Sequence, residues 1–552
     1  MKRLRLLLRD RADAAIALGL FAGYLALLLA TAGSLGFMRD EGFYFTAARA
    51  YGKWFELLWS SPGEALSPAV TDRYWTVNHE HPSLLKGLFA LSNRFLAGFF
   101  AQPSSSFRFP AMALSSLAVA LTYLWGARLF GRMAGLVAAL SFAFMPRVFF
   151  HAHLACFDLP VATLWLVTSY AYSRSLASGR ALLVVLTGLA YGLLLDTKHN
   201  AWLFPFALGL HFALTQGWAL ANDLRSGRPW WRRLPPAWAS MLLLGPLVLY
   251  ALWPWLWHDT AQRLRDYVRF HTQHEYYNME FLGRTYWQPP LPRAYAWLMT
   301  LSTVSLVTLV LAAIGAGAFL RRFSQHQARS DCTLWGASIL IGYAPWLSPS
   351  TPIFGGTKHW LTAYPFVCLF AGLGFVHVCQ ALRELLPRLA RPALVAGCVL
   401  VGPAVMTLHA HPFALSAYTP LVGGAPGAAS LGLNRTFWGY TTQSLAPFID
   451  HGAPTRGRVY VHDTALASFA MFQEDGRLRR DLRATLDIAT SDVALYHHEP
   501  HMSRVEHQIW TDYGTLGPSA IATFDGVPVA WAYVRRQAGA RQERALPAAP
   551  AP

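Results

Sequence analysis

The stretch MKRLRLLLRDRADAAIALGLFAGYLALLLATAGSLGFMRDE, residues 1–41, sets the fold class of the chain. It begins with basic residues, continues as an apolar run over residues 14–37 and ends at Asp40 and Glu41. A helix of about 20 apolar residues crosses the roughly 30 Å hydrocarbon core of a bilayer, so this run predicts a membrane span. A secretory signal peptide has a shorter apolar core, which favours a retained first helix over a cleaved leader.

The composition extends this prediction to the rest of the chain. Of 552 residues, 54% are hydrophobic and 14% charged, whereas soluble domains contain about 25% charged residues. The net charge of +17 does not indicate nucleic-acid binding, because the arginines form short clusters between apolar runs, as in cytoplasmic loops. We predict eleven spans, over residues 14–36, 109–128, 132–150, 157–175, 181–196, 200–218, 237–257, 296–319, 333–349, 360–379 and 391–408.

One further apolar run, residues 84–100, decides the topology. If it does not span, the later arginine clusters, such as those at Arg128 and Arg225, share the cytoplasmic side with the N-terminus, as the positive-inside rule requires. If it spans, those clusters fall outside. We therefore predict an interfacial or re-entrant helix in a long first external loop, residues 37–108. The chain is then a multi-pass protein of the plasma (inner) membrane with a cytoplasmic N-terminus and an extracytoplasmic C-terminus.

The composition changes after residue 408, where a Gly- and Pro-rich connector begins. RVYVHD and DVALYHHE predict strands, TALASFAMFQEDG predicts a helix, and ATFDGVPVAWAYV predicts a hairpin. The predicted fold class is a polytopic α-helical membrane domain, residues 1–408, with a small external α/β domain over residues 409–534. Residues 535–552 are predicted to be disordered.

Ionisable residues concentrate on the external face of this topology. Asp40 and Glu41 directly follow the first span, and only one of them faces a cavity if the loop is extended, because adjacent side chains of an extended chain point in opposite directions. A solvated acidic pair is the alternative. Asp158 begins the fourth span, where a lone carboxylate requires a partner. Arg108 and Lys198 are the candidates, and a structural ion pair is the alternative to a functional one.

Two Lys–His pairs, Lys198–His199 and Lys358–His359, lie at outer span boundaries. A lysine supplies a positive charge for phosphate, and the glycines before Lys358 allow backbone N–H groups to approach it. Ordinary interfacial anchoring is the alternative reading.

The segment NHEHPSLLK, residues 78–86, offers further candidates. His79, Glu80 and His81 are candidate ligands for a divalent metal, with a polar helix cap as the alternative, and Pro82 is expected to start the interfacial helix. Lys86 follows in that helix. The five cysteines show no CxxC spacing, which argues against a thiolate zinc site, and the histidines of the tail are better explained as a solvated loop.

The order of these motifs resembles the GT-C fold polyprenyl-phosphate-dependent glycosyltransferases, in the group of protein O-mannosyltransferases and lipid A aminoarabinose transferases. The resemblance spans roughly residues 35–380. It implies a polyprenyl-phosphate monosaccharide as donor, catalysis by the acidic pair and phosphate binding by basic residues. The family's usual His-Pro-Pro is replaced here by His81-Pro82-Ser83.

Carried onto this chain, the resemblance implies that Asp40 is the catalytic base and that Glu41 and Asp158 support it. The substrate-binding residues would be Lys86, His81, Arg108, Lys198, His199, Lys358 and His359. The expected function is transfer of one monosaccharide, with inversion, to an extracytoplasmic protein hydroxyl, lipid or glycan. A secondary transporter of a polar or anionic solute and a non-catalytic scaffold are the alternatives. The gathering of charges at one face and the lack of matching halves favour the enzyme.

Overall fold

The structure is a computed structural model that describes residues 2–321, 326–388 and 391–535. The segment predicted to be disordered, residues 535–552, lies outside the described residues except for Arg535.

Most of the described chain is helical. The helices in chain order up to residue 272 are α1 Lys2–Thr31, α2 Arg39–Ser60, α3 Pro62–Ala65, α4 Pro68–Trp75, α5 Leu84–Leu96, α6 Pro103–Phe130, α7 Arg132–Ala143, α8 Pro146–His153, α9 Asp158–Ser178, α10 Ala181–Leu195, α11 Phe204–Arg225, α12 Pro236–Leu252 and α13 Thr260–Thr272. The later helices are α14 Tyr295–Thr303, α15 Leu306–Arg321, α16 His326–Tyr343, α17 Tyr364–Leu385, α18 Pro392–Ala410, α19 Gly424–Ser430, α20 Thr442–Gly452, α21 Leu466–Glu474 and α22 Ser503–Tyr513.

Each of the eleven predicted spans coincides with helical structure. Among the described residues, five helices are long and apolar enough to cross a membrane, or up to seven if two bent pairs each count as one span. α10 and α12 are apolar but shorter. The chain is therefore an integral membrane protein, and the figure of eleven spans goes beyond what helix length and composition establish.

In the two bent pairs, the chain bends by 67° between α7 and α8 and by 117° between α14 and α15. Pro146 is the first residue of α8, where a proline fits because the first turn needs no intrahelical N–H donor. The residue before it, Met145, is extended, as the steric demand of a following proline favours. The break turns α8 so that His151 reaches the candidate site described below.

The first loop is built of short helices. α5 has 13 residues, a length of about 20 Å, too short to cross the hydrocarbon core. It buries one face, including Leu85 and Phe89, and exposes Arg94 and Phe95 on the other. This amphipathic character agrees with the prediction that the segment does not form a span of its own.

The C-terminal region contains a five-stranded sheet of order β4-β3-β5-β7-β6. Its strands are β3 Arg458–Tyr460, β4 Arg483–Thr485, β5 Val493–His497, β6 Ala520–Phe524 and β7 Val527–Val534, and a separate hairpin pairs β1 Met279–Phe281 with β2 Arg284–Tyr286. β3 pairs in parallel with β4 and β5, whereas β7 is antiparallel to β5 and β6. The two strands, the helix and the hairpin predicted from sequence are all present. The short β4 and helix α22 were not predicted.

This region shares its apolar core with the first loop. Phe37 and Phe45 belong to the same buried cluster as Phe472 and Val529. The ring centroids of Phe37 and Phe472 lie 4.6 Å apart. The C-terminal region therefore packs directly on the segment that carries Asp40.

Candidate active site

The acidic pair lies in the first turn of α2, not in an extended loop, so the predicted backbone conformation is wrong. α2 begins at Arg39, and carboxylates in a first turn are stabilised by the free N–H groups and the helix dipole. Successive helical residues still point in different directions. Glu41 points into the protein, whereas the side chain of Asp40 remains 21% exposed.

Glu41 forms a buried ion pair with Arg108. The guanidinium Nε and Nη2 donate to the two carboxylate oxygens at 2.8 and 2.7 Å, and both side chains are fully buried. The backbone N–H groups of Ala155 and Met38 donate to the same carboxylate at 2.9 and 3.1 Å. Arg108 also donates to the Gly36 carbonyl at 2.7 Å and stacks on Phe37. The pair joins α2, α6 and the segment before α9, and it leaves neither charge open to a substrate.

Asp40 faces a lysine. Lys358 Nζ lies 3.6 Å from Asp40 Oδ2, and Arg39 Nε lies 3.9 Å from Asp40 Oδ1. The side chain of Lys358 packs directly on Gly355, where an added Cβ would lie 2.5 Å from Lys358 Cε. Gly355 and Gly356 have φ of 76° and 63°, conformations that favour glycine.

A second acid–base pair lies beside the first. Lys198 Nζ donates to Asp158 Oδ1 at 2.5 Å, and His151 Nδ1 lies 3.8 Å from Asp158 Oδ2. The ammonium of Lys358 interacts electrostatically with the carboxylates of Asp40 and Asp158 and with the ammonium of Lys198. Asp158 begins α9, Lys198 follows α10, and Lys358 lies in the 3-10 turn Gly356–Ala363 before α17. Helix ends from four parts of the chain thus bring two carboxylates and two lysines together. Of the two partners predicted for Asp158, the structure selects Lys198.

Three histidines flank this centre. The ring of His199 stacks on that of His271 at 4.1 Å, and His81 lies 5.8 Å from His271. Burial lowers the pKa of His271 to about 4. Burial, reinforced by the charge of Lys86, lowers the pKa of His81 well below its usual range. Both rings are therefore neutral near pH 7, which allows them to approach each other and the lysines. His271 was not predicted, since α13 offers no motif.

Lys86 and His359 serve the surrounding framework. Lys86 Nζ is fully buried and donates to the carbonyls of Asn78 and His81 at 2.5 and 2.8 Å, which fixes the turn before α5. Burial lowers the pKa of Lys86 to about 7. His359 bonds through Nε2 to the backbone of Phe354 and stacks on Trp346. Among the described residues, no contact joins the side chain of Lys86 or of His359 to Asp40.

The segment predicted as a candidate metal site, His79 to His81, makes contacts with other protein side chains. Asn78 Nδ2 donates to Glu80 Oε1 at 2.5 Å, and the ring of His79 packs on Trp255. Across the described parts of the chain, no group of three His, Cys, Asp or Glu side chains is arranged to hold a metal ion. The interfacial helix α5 begins at Leu84 and not, as predicted, at Pro82. The residue before it, Ser83, donates its backbone N–H and its hydroxyl to the buried Asp196 carboxylate.

Two residues of the C-terminal region that reach this centre were not predicted from the sequence. The ring of Trp438 covers Lys358 Nζ at 4.0 Å from its centroid, and Asp463 accepts from Arg39 Nη1 at 2.6 Å. Both lie in a region whose acidic and aromatic residues read as those of an ordinary soluble domain.

The structure is similar to that of ArnT from Cupriavidus metallidurans in the apo state, with a TM-score of 0.50 at 15% sequence identity, over 95% of this chain and 99% of ArnT. The chain has a GT-C fold. The predicted resemblance is thereby confirmed at the level of the fold.

Two further solved structures align with this chain at lower TM-scores, and one family model matches part of its sequence. The oligosaccharyltransferase AglB from Archaeoglobus fulgidus, in complex with an inhibitory peptide and a dolichol-phosphate, aligns with a TM-score of 0.45 at 11% identity, over 90% of this chain and 71% of AglB. The arabinosyltransferase EmbB from Mycobacterium smegmatis gives 0.41 at 14% identity, over 89% of this chain and 44% of EmbB. Residues 88–257 match the family model described as dolichyl-phosphate-mannose-protein mannosyltransferase. No curated protein sequence matches the chain.

Proposed function

We propose that this GT-C protein is an inverting glycosyltransferase that moves one monosaccharide from a polyprenyl phosphate to an extracytoplasmic acceptor. The observation that carries the proposal is the partly open Asp40 carboxylate beside Lys358, next to the Lys198–Asp158 pair. A sugar linked to a phosphate already has a good leaving group, so the reaction needs a base for the acceptor hydroxyl and cations for the departing phosphate.

In this proposal Asp40 takes the proton of the acceptor hydroxyl as that oxygen attacks the anomeric carbon. The bond from the anomeric carbon to the phosphate oxygen breaks on the opposite face, which inverts the configuration. Lys358 and Lys198 hold the phosphate and stabilise the charge that it acquires. Asp158 orients Lys198 through the 2.5 Å contact.

The remaining predicted site residues receive supporting roles. The buried Glu41–Arg108 pair fixes the start of α2 and so places Asp40. Lys86 fixes the turn that carries His81, and His359 fixes the turn that carries Lys358. His81 and His199 line the centre, where their ring N–H groups can donate to phosphate or sugar oxygens. We propose no metal requirement for the segment from His79 to His81.

Lys358→Ala is expected to weaken the binding of sugar-free polyprenyl phosphate at least tenfold. A hydrogen bond to a charged group contributes about 1.5–3 kcal/mol, and 1.4 kcal/mol corresponds to a factor of ten. Binding is measured as the concentration of lipid that shifts the thermal unfolding midpoint of the detergent-solubilised protein. Lys198→Ala is expected to act in the same direction.

The control for this prediction is Lys53→Ala, which removes an exposed lysine from the same helix as Asp40. It should leave lipid binding within about twofold of the unsubstituted protein. If both Lys358→Ala and Lys198→Ala bind the lipid as the unsubstituted protein does, the phosphate site has been placed wrongly.

The proposed orientation has the N-terminus and the loop around Gly227 in the cytoplasm and the region from residue 409 outside. It rests on the arginine clusters, which lie at the opposite helix ends from Asp158 and Lys198. Reporter fusions at Gly227 and Gly476 are expected to report opposite compartments. The same compartment for both fusions would refute the topology, and with it the extracytoplasmic site.

A further inference from the structure

The C-terminal region contacts the backbone on both sides of Asp40. Ser468 Oγ donates to the Met38 carbonyl at 2.9 Å, and the Arg39 N–H donates to the Trp438 carbonyl at 3.0 Å. The approach is close enough that a Cβ at Gly42 would lie 2.6 Å from Ser468 Oγ. A residue 430 positions away in the chain thus holds the first turn of α2.

Two side chains of the same region reach the charged groups themselves. Asp463, whose side chain is 3% exposed, accepts from Arg39 Nη1 at 2.6 Å. Arg39 in turn lies 3.9 Å from Asp40. Beside Asp463 lies Glu499, and burial together with the Asp463 carboxylate raises the pKa of Glu499 well above its usual range.

Trp438 reaches the lysine. Its ring is buried, and Lys358 Nζ lies 4.0 Å from the ring centroid while also lying 3.6 Å from Asp40. An ammonium over an aromatic face is stabilised by the ring quadrupole, more strongly where water is excluded. The ammonium of Lys358 is thus held between the Trp438 ring and the Asp40 carboxylate.

The backbone at both residues is unusual. Trp438 has φ of 70°, which a bulky residue rarely adopts, and Asp463 has φ of 50°, a region that aspartate enters more often than most residues. The two turns pack on each other, since a Cβ at Gly439 would lie 2.3 Å from the Asp463 carbonyl oxygen. Strained backbone persists where its surroundings over-determine it, and such residues concentrate at functional sites. Here Trp438 and Asp463 both contact the segment of Asp40, and Trp438 also contacts Lys358.

We propose that Trp438 and Asp463 are positioning residues, Trp438 for Lys358 and Asp463 for Asp40 through Arg39, so that the C-terminal region completes the active site. This inference rests on the proposed function. It gives the region a role in the transfer step itself, in contrast to a separate module that only recruits the acceptor.

The test of Trp438 compares two substitutions. Trp438→Leu is expected to raise the KM for the donor, and the Kd for sugar-free polyprenyl phosphate, about tenfold. Trp438→Phe keeps an aromatic face and is expected to stay within about threefold. Trp59→Leu, which removes a tryptophan that is 92% exposed, is the control and should change neither quantity. If the Phe and Leu variants lose activity equally, or only in proportion to their loss of thermal stability, the positioning role of Trp438 is refuted.

The test of Asp463 is a double-mutant cycle on kcat. If Asp463 acts on Asp40 only through Arg39, the double variant Arg39→Gln with Asp463→Asn loses no more activity than Arg39→Gln alone, whereas independent roles give multiplicative losses. Multiplicative losses refute the coupling. If the unsubstituted protein is active and the Trp438→Leu and Asp463→Asn variants both work at its full rate, this inference is overturned and the proposed function is not. An unsubstituted protein that neither binds nor consumes any lipid-linked sugar overturns the proposed function, and this inference with it.

Discussion

Asp40→Asn is expected to abolish sugar transfer while the protein still folds and binds polyprenyl phosphate. The substitution preserves the shape of the side chain and removes its basicity, and general-base catalysis contributes about 10²–10⁴-fold. Asp40 is the partly exposed carboxylate of the centre, since Glu41 and Asp158 are both buried against cations. The measurement is the turnover of a purified donor–acceptor system, with lipid binding followed in parallel.

The control for Asp40 is Asp266→Asn, an exposed carboxylate of α13 whose loss should leave turnover unchanged. Retention of near-normal turnover by Asp40→Asn would show that the base lies elsewhere. Loss of lipid binding together with turnover would indicate that Asp40 acts by holding Lys358 in place.

Arg108→Gln is expected to lower the free energy of unfolding by about 3–5 kcal/mol, because it leaves the Glu41 carboxylate buried without its partner. The double variant with Glu41→Gln removes both charges and should recover part of that loss. The fraction that remains folded should bind polyprenyl phosphate with unchanged affinity, since the ion pair faces the protein interior. Thermal unfolding in detergent and lipid titration measure the two quantities.

An exposed ion pair provides the matched control. Arg94 Nε lies 3.3 Å from Glu56 Oε1 with both side chains more than half exposed, and such pairs contribute about 0–1 kcal/mol. Arg94→Gln should therefore leave the unfolding midpoint nearly unchanged. If Arg108→Gln is as stable as the unsubstituted protein but fails to bind the lipid, Arg108 belongs to the phosphate site, as the sequence suggested.

The helical architecture could be predicted because apolar length is a local property of the sequence. The strands and hairpin of the C-terminal region followed equally from local alternation and from the Asp525–Gly526 turn. The gathering of Asp40, Asp158, Lys198 and Lys358 followed from topology, which placed them at one face before any distance was known.

The pairing of these charges could not be predicted in the same way. Glu41 and Arg108 are 67 residues apart, and Arg39 and Asp463 are 424 apart, so nothing local distinguishes a buried ion pair from an open catalytic carboxylate. Lys86 illustrates the same difficulty, because a lysine that binds backbone carbonyls has the same sequence context as one that binds phosphate. Trp438 carries no motif, and its role emerges only from its contact with Lys358.

The most direct test of the proposed function is the release of free polyprenyl phosphate from a panel of polyprenyl-phosphate monosaccharides. The purified protein is incubated with each donor and an extract of extracytoplasmic acceptors, and the lipid products are followed by mass spectrometry. We expect the unsubstituted protein to convert at least one donor and Asp40→Asn to convert none. Release at equal rates by both proteins, or neither binding nor release by a folded unsubstituted protein across the panel, would contradict the account.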